Sequence, residues 1–240
     1  MLKKVLPAAV AASLLAGATA TTVQAGEISA NVALVSDYRF RGISQSNEDV
    51  ALQGGFDYAF ANGIYVGTWG STVDFDSDGD DFNGSLELDY YAGWAMDIGE
   101  NSAIDVGYIY YDYPGDEGAE GDYQEIYGSW SWRGLTLGLH YSDDYYGESD
   151  EFFYYYADYS LGFAENFSLD LHVGYNDLEQ DGGFLSSSED SYTDYSVGLT
   201  WSVIGVDLGA AYVGTTLDEE DVAFTDWAED TVVVSIAKSF

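Results

Sequence analysis

From Phe167 to Asn176 the chain keeps a strict alternation. Phe167, Leu169, Leu171, Val173 and Tyr175 fall on one phase, and Ser168, Asp170, His172, Gly174 and Asn176 on the other. The same rhythm returns between Asp194 and Val203, where Tyr195, Val197, Leu199, Trp201 and Val203 oppose Asp194, Ser196, Gly198, Thr200 and Ser202. Strand side chains project to opposite faces with period two, so each segment has one apolar and one polar face. Extended along the chain, the pattern predicts twelve strands, at 28–41, 49–60, 64–73, 85–98, 103–112, 123–132, 135–142, 152–163, 167–175, 192–203, 206–216 and 230–240.

The connections alternate in character. Ala61-Asn62-Gly63, Gly99 to Ser102, Arg133-Gly134, Ala164 to Asn166 and Ile204-Gly205 read as tight hairpin turns. The others, around 42–48, 74–84, 113–122, 143–151, 176–191 and 217–229, are longer and rich in Asp, Glu, Ser and Gly. Short turns at one end and long loops at the other characterise outer-membrane barrels, whereas a soluble sandwich usually mixes lengths at both ends. The expected fold is therefore all-β, a transmembrane up-and-down antiparallel barrel of twelve strands.

Charge placement decides which face is inside. Asp57, Glu87, Asp89, Asp105, Glu125, Asp158, Asp170 and Asp207 all avoid the apolar phase. In a sandwich that acidic face would be the exterior. In lipid the sheet must close on itself to pair its backbone, which turns the polar phase inward. Apolar-phase aromatics near both strand ends supply two girdles: Phe60, Trp132, Phe163, Phe167, Trp201 and Phe240 at the short-turn rim, and Phe40, Tyr110, Tyr141, Phe153, Tyr175, Tyr195 and Tyr212 at the other.

The start of the chain agrees. Lys3 and Lys4 precede an apolar stretch from Val5 to Ala20, then Val23-Gln24-Ala25, the layout of a secretory signal peptide cleaved after Ala25. Residues 26–240 would form a single barrel domain. With 43 acids and a formal charge of −37, nucleic acid is excluded as a partner, because phosphates need Lys and Arg to neutralise them. Such a charge often accompanies disorder, but 22 Tyr, 12 Phe and 6 Trp point to a folded, strand-rich chain. Cysteine is absent, so no disulfide braces the fold and no thiolate serves as ligand or nucleophile. The last strand closes on Phe240, resembling the signal read by the barrel-assembly machinery.

Several blocks carry a family likeness. Ser36-Asp37-Tyr38-Arg39-Phe40-Arg41-Gly42-Ile43-Ser44-Gln45 resembles the opening motif of the TorF-type porin family. Gln53 to Tyr58, Gly63 to Ser71, Glu87 to Gly93 and Tyr113-Pro114-Gly115 are similar to the blocks that follow it. The likeness is most specific in the first half of the chain. It implies a barrel in the outer membrane of Gram-negative bacteria, in contact with outer-membrane lipid and lipopolysaccharide, and a porin role.

Candidate chemistry concentrates in the lumen. On the predicted first strand, Asp37, Arg39 and Arg41 share the inward phase, and the two arginines are the only inward basic residues of the strands. They can form a constriction, acidic on one wall and basic on the other. Alternatively they neutralise Glu87, Asp89 or Asp57 and plug the barrel. Asp74, Asp76, Asp78 and Asp80, with Gly79, read as the front half of a calcium loop. Position twelve is Ser85 rather than Glu and no flanking helices are predicted, so a solvated acidic loop competes with bound calcium or magnesium. His140 and Ser142, two apart on one strand, resemble the dyad of outer-membrane phospholipase A, but their phase puts them in the lumen, away from lipid. The reading is a non-enzymatic channel for passive diffusion of small hydrophilic solutes, cation-preferring. Its rivals are a plugged structural or adhesive barrel with cation-binding loops and, more remotely, a lipolytic enzyme.

Overall fold

In a computed structural model, residues 26–75, 84–115, 121–179, 183–222 and 225–240 are described. The proposed signal peptide, residues 1–25, and the loop positions Asp76, Asp78 and Asp80 lie outside these residues. Among the described residues there are fourteen strands: β1 (Glu27–Val35), β2 (Arg39–Phe40), β3 (Ile43–Ser44), β4 (Ala51–Ala59), β5 (Ile64–Thr72), β6 (Leu86–Asp97), β7 (Ser102–Asp112), β8 (Tyr123–Trp132), β9 (Leu135–Ser142), β10 (Phe152–Ala164), β11 (Phe167–Leu178), β12 (Ser191–Val203), β13 (Val206–Thr215) and β14 (Thr231–Ser239). Twelve of them form a closed antiparallel barrel in which each strand pairs with its neighbour in the chain, and β2 and β3 form a separate two-stranded hairpin. The seam joins β1 to β14, from Asn31 opposite Ser239 to Val35 opposite Ser235.

The alternation maps onto the wall as expected. Ile28, Leu34, Phe56, Val106, Ile126, Leu139, Val173, Val197 and Val234 are exposed on the outside. Glu87, Asp89, Asp105, Glu125 and Asp194, on the opposite phase, are buried inside. Within the wall strands, the acids on the outward phase, Asp112 and Asp177, lie at the long-loop end. There Asp230 accepts hydrogen bonds from the hydroxyls of Tyr195 and Tyr212.

Inward tyrosines set the packing between neighbouring strands. Tyr65 on β5 stands opposite Gly93 on β6, and Tyr91 on β6 stands opposite Gly67 on β5. Each ring lies over the glycine of the other strand, where an added Cβ would collide with it. A large side chain thus fits beside a missing one twice, in opposite directions.

One predicted strand is wrong in its second half. β1 stops at Val35 instead of running to residue 41, and β4 begins at Ala51 rather than 49. Ser36 still completes the seam, its N–H donating to Val234 O at 2.9 Å and its Oγ accepting from Val234 N at 3.0 Å. Residues 37–50 then turn into the lumen. Arg39 faces Ser44 and Phe40 faces Ile43, with Arg41 and Gly42 as the two turn residues at φ 49° and 84°. Both lie in the left-handed region, as a two-residue type I′ turn requires. Gly42 is needed for space as well, because a Cβ there would run into the Thr215 side chain.

Candidate functional site

The inserted hairpin is built around two buried arginines. Arg39 Nε bonds to Asp37, and Nη2 lies 2.9 Å from Glu48 Oε1. Its Nη1 donates to the carbonyls of Gly42, Trp227 and Glu229 at 3.2, 2.6 and 3.1 Å. Asp37 is held in turn by the hydroxyls of Ser44 and Ser46, at 2.7 and 3.2 Å. Arg39 therefore ties the hairpin to itself and to the loop between β13 and β14. Trp227 of that loop donates its indole N–H to Asn47 Oδ1 at 2.9 Å.

Arg41 reaches the wall. Its Nη2 is 2.7 Å from Glu125 Oε1 and donates to Oε2 at 2.9 Å, while Nη1 donates to the Tyr145 hydroxyl at 3.1 Å. Glu125 Oε2 also meets His140 Nδ1 at 2.8 Å and accepts from Tyr111 at 3.2 Å. The side chains of Arg41 and Glu125 are 3% and 0% exposed. A charge pair that dry survives only where several hydrogen bonds compensate the lost hydration.

Asp37, Arg39 and Arg41 are therefore not on the barrel wall, as the strand pattern implied, but on a segment that crosses the lumen. Nor are their partners the expected Glu87, Asp89 or Asp57: Arg41 takes Glu125, and Arg39 takes Asp37 and Glu48. Phe40, expected in the outer girdle, is on the same hairpin and packs edge-on against Tyr111 at 5.8 Å. The alternation misled because Asp37, Arg39 and Arg41 continue the period after the backbone has left the sheet.

Around the hairpin the long-loop half of the lumen is packed. Tyr38 donates to Glu87 Oε1, and Tyr111, Tyr113, Tyr123, Tyr145, Phe152 and Tyr192 are buried beside it. Asp89 is buried too, and its Oδ1 has no hydrogen-bond partner among the described residues. Towards the short turns the filling thins. Asp105 is buried and accepts from Tyr65 at 2.8 Å, but Asp57, Asp158, Asp170 and Asp207 are only half-buried. Tyr91 donates to Asp57 at 2.6 Å, Ser160 to Asp170 at 2.6 Å and Ser202 to Asp207 at 2.5 Å. Among the described residues, the long-loop half of the interior is thus lined by buried side chains and the short-turn half by partly exposed polar ones.

A second cluster escaped the sequence reading. His172 places Nδ1 2.6 Å from Asp158 and Nε2 2.8 Å from Asp194, and Asn176 donates to Asp194 at 2.8 Å. The strand phase of His172, Asp158 and Asp194 already put all three inside; only the pairing of β10, β11 and β12 shows that they meet.

His140 and Ser142 lie on the lumenal side, as their phase indicated. His140 gives Nδ1 to Glu125, and Ser142 Oγ accepts from Asp144 N at 3.3 Å, both deep inside the lumen. Of the calcium-loop positions, Asp74 is described and its N–H bonds to Gln45 O at 2.8 Å. Among the described residues, Glu219, Asp226 and Glu229 bring carboxylate oxygens within 4.8 Å of one another, all exposed on the β13–β14 loop.

The fold has solved counterparts. A structure described as "NanC porin structure in rhombohedral crystal form" superposes with a TM-score of 0.56 at 12% identity, covering 88% of this chain and 98% of that one. "KdgM porin" gives 0.54 at 11% identity, covering 88% and 99%, and "KdgM porin in complex with disordered oligogalacturonate" gives 0.55 at 9%, covering 89% and 98%. No curated protein matches the chain. Residues 19–240 match the family described as "Bacterial protein of unknown function (Gcw_chp)", and the chain belongs to that family.

Proposed function

We propose that this chain is a porin-type channel of the bacterial outer membrane that admits small hydrophilic solutes, prefers cations, and uses the 37–50 segment as its constriction. The observation that carries this reading is the pairing of an apolar outer face with an acidic interior crossed by a single arginine-bearing hairpin. The fold shared with porins supports it, as does the TorF-type likeness of the block that turns out to be that hairpin. The acidic long loops then face outside, towards lipopolysaccharide.

The cation preference follows from charge. Inward carboxylates far outnumber Arg39 and Arg41, and a lumen of one sign concentrates counter-ions and repels co-ions. One solved relative holds oligogalacturonate, a polyanion; an interior this acidic disfavours such a cargo.

A second reading is favoured by the burial of Arg41, Glu125, Glu87 and Asp89, which leaves the long-loop half packed. On that reading the barrel is shut and serves as a structural or adhesive element. Single-channel recording in a planar bilayer separates the two. Discrete conductance steps support the channel; a silent bilayer with correctly inserted protein supports the shut barrel.

A further inference from the structure

Arg41 occupies a cage of aromatic faces. Its guanidinium carbon is 4.4 Å from the ring centroid of Tyr154, 4.7 Å from Phe40, 4.8 Å from Phe152 and 5.5 Å from Tyr145. Tyr145 and Phe152 stack on each other with centroids 3.9 Å apart, and the Glu125 carboxylate meets the guanidinium at Nη2. Ring quadrupoles attract a cation placed over their faces, and exclusion of water strengthens the attraction.

The ownership of these groups matters. Phe152 and Tyr154 belong to β10, Glu125 to β8 and Tyr145 to the β9–β10 loop, so the barrel builds most of the cage. The hairpin brings the guest and one ring. The tethered guest also fits incompletely. Among the described residues Arg41 Nε is buried without a hydrogen-bond partner, and the Arg41 backbone holds a left-handed φ of 49° that side-chain-bearing residues rarely adopt. An untethered guanidinium would carry neither constraint.

We infer that this cage is a binding site for small organic cations of the guanidinium class, and that Arg41 is a built-in occupant which such a ligand replaces. The inference draws on the channel reading only for the route by which a ligand arrives; binding itself does not require conduction.

The test uses Arg41→Ala of the full barrel in detergent, titrated calorimetrically with guanidinium chloride at non-denaturing concentrations and with urea as the neutral analogue. Guanidinium should bind Arg41→Ala saturably and at least tenfold more tightly than the unmodified protein, and urea should give no saturable signal. Adding Glu125→Gln to Arg41→Ala should abolish the binding. Equal affinity in the unmodified and Arg41→Ala proteins, or equal response to urea, overturns the inference. If Arg41→Ala assembles poorly, the same solutes are present during refolding. Recovery of the heat-resistant barrel with guanidinium but not with urea or sodium chloride supports the cage, and no difference between them overturns it. Guanidinium binding in a protein that never conducts defeats the channel reading alone, whereas conduction without such binding defeats the cage alone.

Discussion

Tyr38 donates its hydroxyl hydrogen to Glu87 Oε1 at 2.9 Å, fastening the segment that leaves β1 to the beginning of β6. The same ring meets Trp69 edge-on at 5.6 Å, so the anchor is both polar and packed. Tyr38→Phe keeps the ring and strips Glu87 of a donor. Tyr113 also bonds Glu87, so we expect a loss of about 1 kcal/mol, the net worth of one hydrogen bond, seen as a lower temperature for loss of the heat-resistant band on gels. If the transition is unmoved, Tyr38 does not anchor the hairpin.

Gly93→Ala places a methyl group where the Tyr65 ring lies. Tyr65 cannot easily retreat, because its hydroxyl donates to Asp105 and lies 2.5 Å from that of Tyr127. Overpacking of this kind costs about 1–3 kcal/mol. The paired variant Gly93→Ala with Tyr65→Leu should recover part of that loss by making room. A thermal melt of Gly93→Ala that matches the unmodified barrel would show that the ring moves freely.

On the β13–β14 loop the carboxyl of Glu229 is raised above its ordinary pKa, chiefly by the negative charge of Asp226, with Glu219 and Glu48 adding to it. A folded loop that holds this proton more firmly than the unfolded chain gains stability as pH falls into the carboxylate range and loses it as pH rises. Calcium or magnesium should act in the same direction by neutralising the three carboxylates. The chain has no native cysteine, so a spin label at Glu220→Cys reports this loop alone. Its mobility should drop on going from pH 7 to about 5, or on adding calcium, and return with chelator. Glu229→Gln should blunt both responses; a label indifferent to proton and cation leaves the loop as an ordinary solvated surface.

Across a bilayer with a salt gradient, the reversal potential should carry the sign of cation selectivity. The effect should weaken as salt rises, since screening already acts over about 10 Å at 0.1 M. Neutralising Arg39 and Arg41 together should strengthen the preference, and widen conductance where the hairpin yields. Anion selectivity in the unmodified protein would contradict the charge argument outright.

Alternation and turn chemistry located every wall strand, because both depend on neighbours in sequence. β8 and β9 fall at 123–132 and 135–142, the limits expected for them, and most others within a residue or two. The exception is instructive. Arg133-Gly134 was legible as a tight turn, and the structure puts the pair at φ 48° and 87°. Arg41-Gly42 is the same dipeptide with nearly the same geometry, yet the flanking period-two pattern masked it. Phase likewise told which acids face inward, but not which cation each would meet. Arg41 meeting Glu125, and His172 bridging Asp158 and Asp194, depend on curvature and register around the barrel, and neither is encoded in local spacing.

The tyrosines lying over glycines bear on how the sheet finds its register. Tight turns fix the alignment of the strands they join, because so few residues can span them in only one way. Long acidic loops impose no such limit. Three of the strand pairs joined by long loops carry an inward Tyr directly opposite a Gly: Tyr65 and Tyr91 between β5 and β6, Tyr127 with Gly107 between β7 and β8, and Tyr156 with Gly138 between β9 and β10. A two-residue slip would preserve the apolar and polar faces and so escape any penalty for misplacing them, but it would set each ring against a side chain instead of a gap. These pairs therefore proofread the one error that hydrophobic patterning cannot detect.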